Sequence, residues 1–194
     1  MRCIARRDFV AKPWKNGGGV THEVVASPEG AGHDDFAWRV SLAELREAGA
    51  FSSWPGVSRS LMLLEGAPVR LDVDGKQVLL DRRGGLLCFS GSAPVFAWPD
   101  GAALDAGVMS RDRLCRQHSR VLQVSGSSVL VRSAPEAVLL LAEGESLVVE
   151  SAETRVRLGR HDALLLGRDD AFELQLSASS PARVLFAEFA PAPV

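Results

Sequence analysis

An internal repeat restricts the fold more than any other feature of this chain. Displaced by 78 positions, Leu61-Met62-Leu63-Leu64-Glu65-Gly66 lands on Leu139-Leu140-Leu141-Ala142-Glu143-Gly144. The same ungapped register aligns Val78 with Val156, Leu80 with Leu158 and Arg82 with Arg160. It also aligns Leu86 and Leu87 with Leu164 and Leu165, and Ala93 with Ala171, giving ten identities over positions 61–98. Leucine matches come cheaply from composition, whereas Glu-Gly and Arg in one register are harder to obtain by chance. A chain that repeats in this way builds two similar units.

Each copy reads as short strands separated by turns. In the first, Val69, Leu71 and Val73 alternate with polar residues up to Asp74-Gly75, a two-residue hairpin signal. Neither copy has apolar residues at helical spacing over ten or more positions. Phe36, Trp38, Val40 and Leu42 alternate with Ala37, Arg39 and Ser41, so a strand here buries the first set and turns Arg39 and Ser41 to the other face. Val184, Phe186 and Glu188 alternate with Leu185, Ala187 and Phe189, which predicts a last strand covered on both sides. Only Leu42 to Ala48 looks helical. The expected class is all-β, with two antiparallel barrels or sandwiches at residues 1–110 and 111–194.

Composition narrows the function classes. With 46% hydrophobic residues in 194, the chain can bury a real core, and a formal charge of −2 provides no global positive field for nucleic acid or anionic lipid. No apolar run reaches the length of a signal peptide or a membrane span, so a cytoplasmic protein is expected. Cys3, Cys88 and Cys115 are far apart, odd in number and outside any C-x-x-C pair. That favours reduced, small, buried apolar side chains over disulfides or a zinc cage.

Candidate chemistry concentrates in the first half. Pro13-Trp14-Lys15-Asn16-Gly17-Gly18-Gly19 holds three consecutive glycines, whose backbone N–H groups can form an anion nest beside Lys15 and Asn16. The order of residues does not match a phosphate loop. A ligand-facing loop and a tight structural corner both remain open for it. Further on, Pro55-Gly56 is a turn signal that places Trp54 and Arg59 near the mouth of the first unit. Arg39 on an inward face and Arg59 at a strand entrance are cations suited to a carboxylate, since a guanidinium can grip it bidentately. The alternative is that both pair with structural carboxylates such as Glu23 or Glu44. His22, His33, His118 and His161 form no pair at metal-ligand spacing, and His33 reads as solvated in a polar loop. No nucleophile motif occurs, and the chain has no tyrosine.

The run Pro13 to Gly19 with Thr21 and Glu23, then Trp38-Arg39-x-Ser41, then Phe51-Ser52-x-x-Pro55-Gly56-x-x-Arg59, resembles the HutD/Ves family. The resemblance covers nearly the whole chain. It implies a bicupin, two cupin-type barrels of the RmlC-like jelly-roll kind, without the usual metal-binding histidines and with no cofactor. One branch of the family is an accessory of histidine utilisation. For that branch the resemblance implies binding of a pathway metabolite such as formylglutamate and a regulatory rather than catalytic role. Another branch is a stress-induced protein. Gly107 departs from the pattern, standing where the family has Asn, so a polar contact from that side chain is lost; Trp54 stands where Phe is common.

The expected function is therefore binding of a small carboxylate metabolite in the first barrel. Arg59 and Arg39 serve as cations, Lys15, Asn16, Gly17, Gly18 and Gly19 as donors, and Trp38 and Trp54 as walls, with Ser41 alongside. A metal-free or unusually ligated cupin isomerase or lyase is the enzyme alternative. A protein-interaction scaffold, such as a homodimer through sheet edges, is the third.

Overall fold

Alternation of apolar and polar residues makes the chain almost entirely strand. The computed structural model describes residues 1–13 and 19–193. Its strands are β1 (Arg2–Ile4), β2 (Val10–Pro13), β3 (Gly19–Ser27), β4 (Trp38–Leu45), β5 (Gly49–Ala50), β6 (Val57–Gly66), β7 (Val69–Val73), β8 (Lys76–Leu80) and β9 (Leu87–Ser90). They continue as β10 (Val95–Pro99), β11 (Ala103–Arg111), β12 (Cys115–Val131), β13 (Glu136–Glu143), β14 (Ser146–Glu150), β15 (Arg155–Gly159), β16 (Ala163–Leu166) and β17 (Glu173–Pro191). A single 3₁₀ turn at Arg6–Asp8 is the one helical piece among the described residues.

The strands form two compact units. The N-terminal unit takes Val10–Gln117 with the residues from Pro191 onward; the C-terminal unit takes His118–Ala190 with Met1–Phe9. The chain's two ends are thus exchanged relative to a simple division at 110/111. The reason at the N-terminus is pairing: β1 lies antiparallel to β16, with Cys3 opposite Leu164, and occupies what would otherwise be an open strand edge.

In the N-terminal unit a six-stranded sheet, ordered β2-β3-β4-β11-β6-β9, faces a four-stranded sheet, ordered β5-β10-β7-β8. Leu61 and Leu63 of β6 pack in one cluster with Val69, Leu71, Leu80, Val95 and Ala97 of the smaller sheet. Asp74 and Gly75 connect β7 to β8 with φ of 52° and 77°, the left-handed pair that a two-residue hairpin requires. In the C-terminal unit seven strands surround an apolar cluster that includes Leu139, Leu141, Leu164, Val184 and Phe186.

The repeat has a structural cause. In both units the strand pairing slips at the Glu-Gly element: between Leu104 and Asp105 on β11 against β6, and between Leu141 and Glu143 on β13 against β17. Gly66 and Gly144 follow with φ of 87° and 122°. The register of 78 does not persist to the fourth strand, however. Leu61 pairs with Leu87, but Leu139 pairs with Leu164 rather than Leu165, a one-residue slip that exchanges faces.

Two expectations are corrected. Leu42 to Ala48 is not helical: β4 continues to Leu45 because β3 and β11 pair with it on both sides, and this sheet pairing overrides local helix preference. Of the cysteines only Cys115 is buried; Cys3 and Cys88 are exposed. Cys88 falls on the outward parity of β9, between the partly buried Leu87 and Phe89.

Candidate functional site

Register places the polar side chains of the larger sheet in rows on the inward face of the N-terminal unit. Met109 of β11 lies opposite Arg39 of β4 on one side and Arg59 of β6 on the other. The next row is Ser41, Gly107 and Leu61; the one after is Ala43, Asp105 and Leu63. Neighbouring strands are about 4.8 Å apart, so the backbones of Arg39 and Arg59 stand roughly 10 Å from each other across Met109.

Arg39 is 5% exposed and already engaged. Its Nη2 donates to Glu23 Oε2 at 3.2 Å, and Lys12 Nζ donates to the same oxygen at 2.9 Å. Its Nη1 lies 3.3 Å from His33 Nδ1, and its Nε is buried without a partner. Burial lowers the guanidinium's pKa and Glu23 opposes that shift. His33 is more than a solvated loop residue: its ring stacks on Trp54 with centroids 5.6 Å apart. Burial, followed by the charge of Arg39, pulls its pKa below the usual histidine value. Of the two structural partners considered, Glu23 holds Arg39, whereas Glu44 instead bonds His22 at 2.8 Å and Arg46 at 2.8 Å.

Among the described residues Arg59 has no such partner. Its guanidinium lies 5.1 Å from the ring centroids of both Phe51 and Phe89, and Nη1 donates one 3.3 Å bond to Ser52 O. Its Nε is buried and unbonded. Desolvation pushes its pKa down to about 10 while Asp105 holds it up, so it stays charged at neutral pH. Asp105 is 2% exposed and burial raises its pKa to about 7, with Arg59 acting in the opposite sense. A half-buried Arg59 with a buried, unbonded Nε and a buried Asp105, without direct contact, leave hydrogen-bonding capacity unused on this face of the sheet.

Not every residue singled out from sequence joins this arrangement. Trp38 is 2% exposed but lies on the opposite face of β4 from Arg39 and Ser41, so it does not line the same interior. Trp54 packs with Phe36, Val57 and Met109 beside the arginine row. Gly19 opens β3, opposite Leu45. Lys15, Asn16, Gly17 and Gly18 lie outside the described residues. Sequence reading passed over Asp105, although a lone acid within Ala103 to Met109, otherwise apolar and glycine, was a visible signal. It also passed over Phe51 and Phe89 as a sandwich for Arg59, since only the fold unites residues 38 positions apart.

Among the described residues no three of His, Cys, Asp or Glu group as metal ligands, and no helix is long and apolar enough to cross a membrane.

The family model HutD matches residues 6–185. A Pseudomonas putida protein described as an uncharacterized 21.2 kDa protein in the hutC 3' region is 34% identical over 179 residues, covering 91% of this chain and 92% of that one. The structure of HutD from Pseudomonas fluorescens superposes with a TM-score of 0.82 at 26% identity, covering 99% of both chains. At 8% identity, where only the fold is compared, a cupin 2 conserved barrel domain protein from Leptotrichia buccalis matches with a TM-score of 0.64 over 96% of this chain and 95% of its own. With repeat, barrel fold and family model in agreement over nearly its whole length, the chain belongs to the HutD family and has the cupin fold.

Proposed function

We propose that the N-terminal unit binds a small carboxylate inside its barrel, with Arg59 as the principal cation. The observation that carries this reading is the unused hydrogen-bonding capacity of Arg59. A guanidinium with a buried, unbonded Nε and a single long bond to a carbonyl costs stability unless a ligand completes it. Its stacking between Phe51 and Phe89 fixes the plane in which a carboxylate can be gripped. Arg39, held by Glu23 and His33, adds positive potential rather than the primary contact. Ser41 offers a hydroxyl on the same face, and Lys15, Asn16, Gly17, Gly18 and Gly19 serve as further donors.

The P. putida relative's description places it beside hutC. That supports a role in histidine utilisation, with formylglutamate among the acids to test, in a cytoplasmic and regulatory protein. Thermal-shift titration with histidine-pathway acids and other dicarboxylates tests the site directly. An acid at about 100 times its dissociation constant stabilises the fold by about 2.7 kcal/mol, a shift of several degrees. Arg59→Ala abolishes the response; an equal response in the variant, or none in the wild type, rejects the assignment.

One observation favours a second, catalytic reading. Asp105, with a pKa of about 7, can exchange a proton near neutrality. Proton NMR of each bound acid, compared between wild type and Asp105→Asn, separates turnover from binding.

A further inference from the structure

Gly107 lies in the interior of β11, a strand paired on both sides, where glycine weakens pairing and packs nothing. Neither conformation nor crowding requires it. Its φ is not among the positive ones, and an added Cβ would stand 3.6 Å from Leu61 Cδ2 and 3.8 Å from Ser41 Oγ, ordinary contact. Gly66 differs in both respects: with φ of 87°, a Cβ there would meet Ala102 O at 2.0 Å.

The other unit holds a large side chain at the matching position. Leu61 of β6 and Leu139 of β13 are equivalent by the repeat, and each pairs with the neighbouring long strand. Leu61 meets Gly107, whereas Leu139 meets Phe186. Phe186 is fully buried in the C-terminal core. The N-terminal unit therefore omits a benzyl group at the position where its counterpart is plugged.

We propose that Gly107 is a specificity-determining residue that admits the uncharged body of a carboxylic acid, up to benzyl size, while Arg59 holds its carboxylate. This rests on the carboxylate reading above. Leu61 gives the body an apolar wall and Ser41 one hydroxyl. The row of Gly107 is two residues along the strand from that of Arg59, about 6.8 Å, so head and body belong to one small molecule.

The test is calorimetric titration of the wild type, Gly107→Ala, Gly107→Val, Gly107→Leu and Arg59→Met with acetate and phenylacetate. Phenylacetate binds the wild type more tightly than acetate, weakens progressively along the glycine series, and loses at least about tenfold in Gly107→Leu. Acetate changes by less than about twofold across that series, and Arg59→Met loses both acids. Undiminished phenylacetate binding in Gly107→Leu, or wild-type binding of acetate alone, overturns the role of Gly107 while leaving Arg59 in place. Absence of Arg59-dependent binding of either acid overturns both proposals. Should Gly107→Leu not fold, the alanine and valine variants decide the ligand test. The melting temperature of Gly107→Ala gives an independent reading: it equals or exceeds that of the wild type, and a fall of several degrees shows that the position tolerates no side chain and overturns the proposal.

Discussion

Across the β13–β17 pair of the C-terminal unit, Ala137, Leu139 and Leu141 face Glu188, Phe186 and Val184. Across the equivalent β6–β11 pair of the N-terminal unit, Arg59, Leu61 and Leu63 face Met109, Gly107 and Asp105. The backbone frame is shared, down to the slip beside Glu-Gly, but one row is apolar apart from Glu188, which Arg120, Ser133 and Ala134 satisfy, and the other holds Arg59 and Asp105 with Gly107 in the row between them. Two arginines show the same contrast. Arg132 of the C-terminal unit donates Nε to Ala171 O, Nη1 to Ala134 O and Pro135 O, and Nη2 to Gly167 O and Asp170 O. Arg59 has one carbonyl among the described residues. A satisfied buried guanidinium is a structural clamp; an unsatisfied one adds little to folding and is available to a ligand.

If this contrast is correct, damage to the packed unit costs far more stability than equivalent damage to the polar one. Phe186→Ala removes a fully buried ring and lowers unfolding free energy by about 3–5 kcal/mol in urea denaturation. Arg132→Met strands five carbonyls and costs about 2–4 kcal/mol by the same measurement. A smaller loss in either case would blur the distinction between the units.

Asp105 gives a pH-dependent effect. Because its folded pKa lies above its unfolded value near 4, the native state binds the extra proton between about pH 4 and 7, and stability falls as pH rises through that window. Asp105→Asn removes this loss. At pH 8 the variant is more stable than the wild type by on the order of 2 kcal/mol, and the advantage vanishes near pH 4 in denaturation curves taken across that range. Acetate binding to the wild type also tightens as pH falls from 8 to 6, because neutral Asp105 no longer repels an anion. The smallest effect belongs to Arg59→Met, which changes stability without ligand by less than about 1 kcal/mol, since little bonding is lost and the methionine can lie between Phe51 and Phe89. A loss as large as that of Arg132→Met would show Arg59 to be structural.

Local pattern in the sequence determined much of this architecture. Period-two alternation set the all-β class and the inward parity of Arg39 and Ser41, while Asp74-Gly75 set the hairpin. The ungapped repeat established two units and showed that Arg59 has Ala137 as its counterpart. These features need only the alternation of side chains along a strand and the backbone preferences of turn residues. Tertiary structure decided the rest. Pairing with β3 and β11 extended Leu42–Leu45 as strand, and the exchange of chain ends gave β1 to the C-terminal unit. Strand register placed Asp105 in the row below Gly107, and set Gly107 opposite Leu61 where Phe186 stands opposite Leu139 in the other unit. A register joins residues far apart in the chain and inverts every face with a one-residue slip, so the contents of the two barrels were decided only when their strands paired.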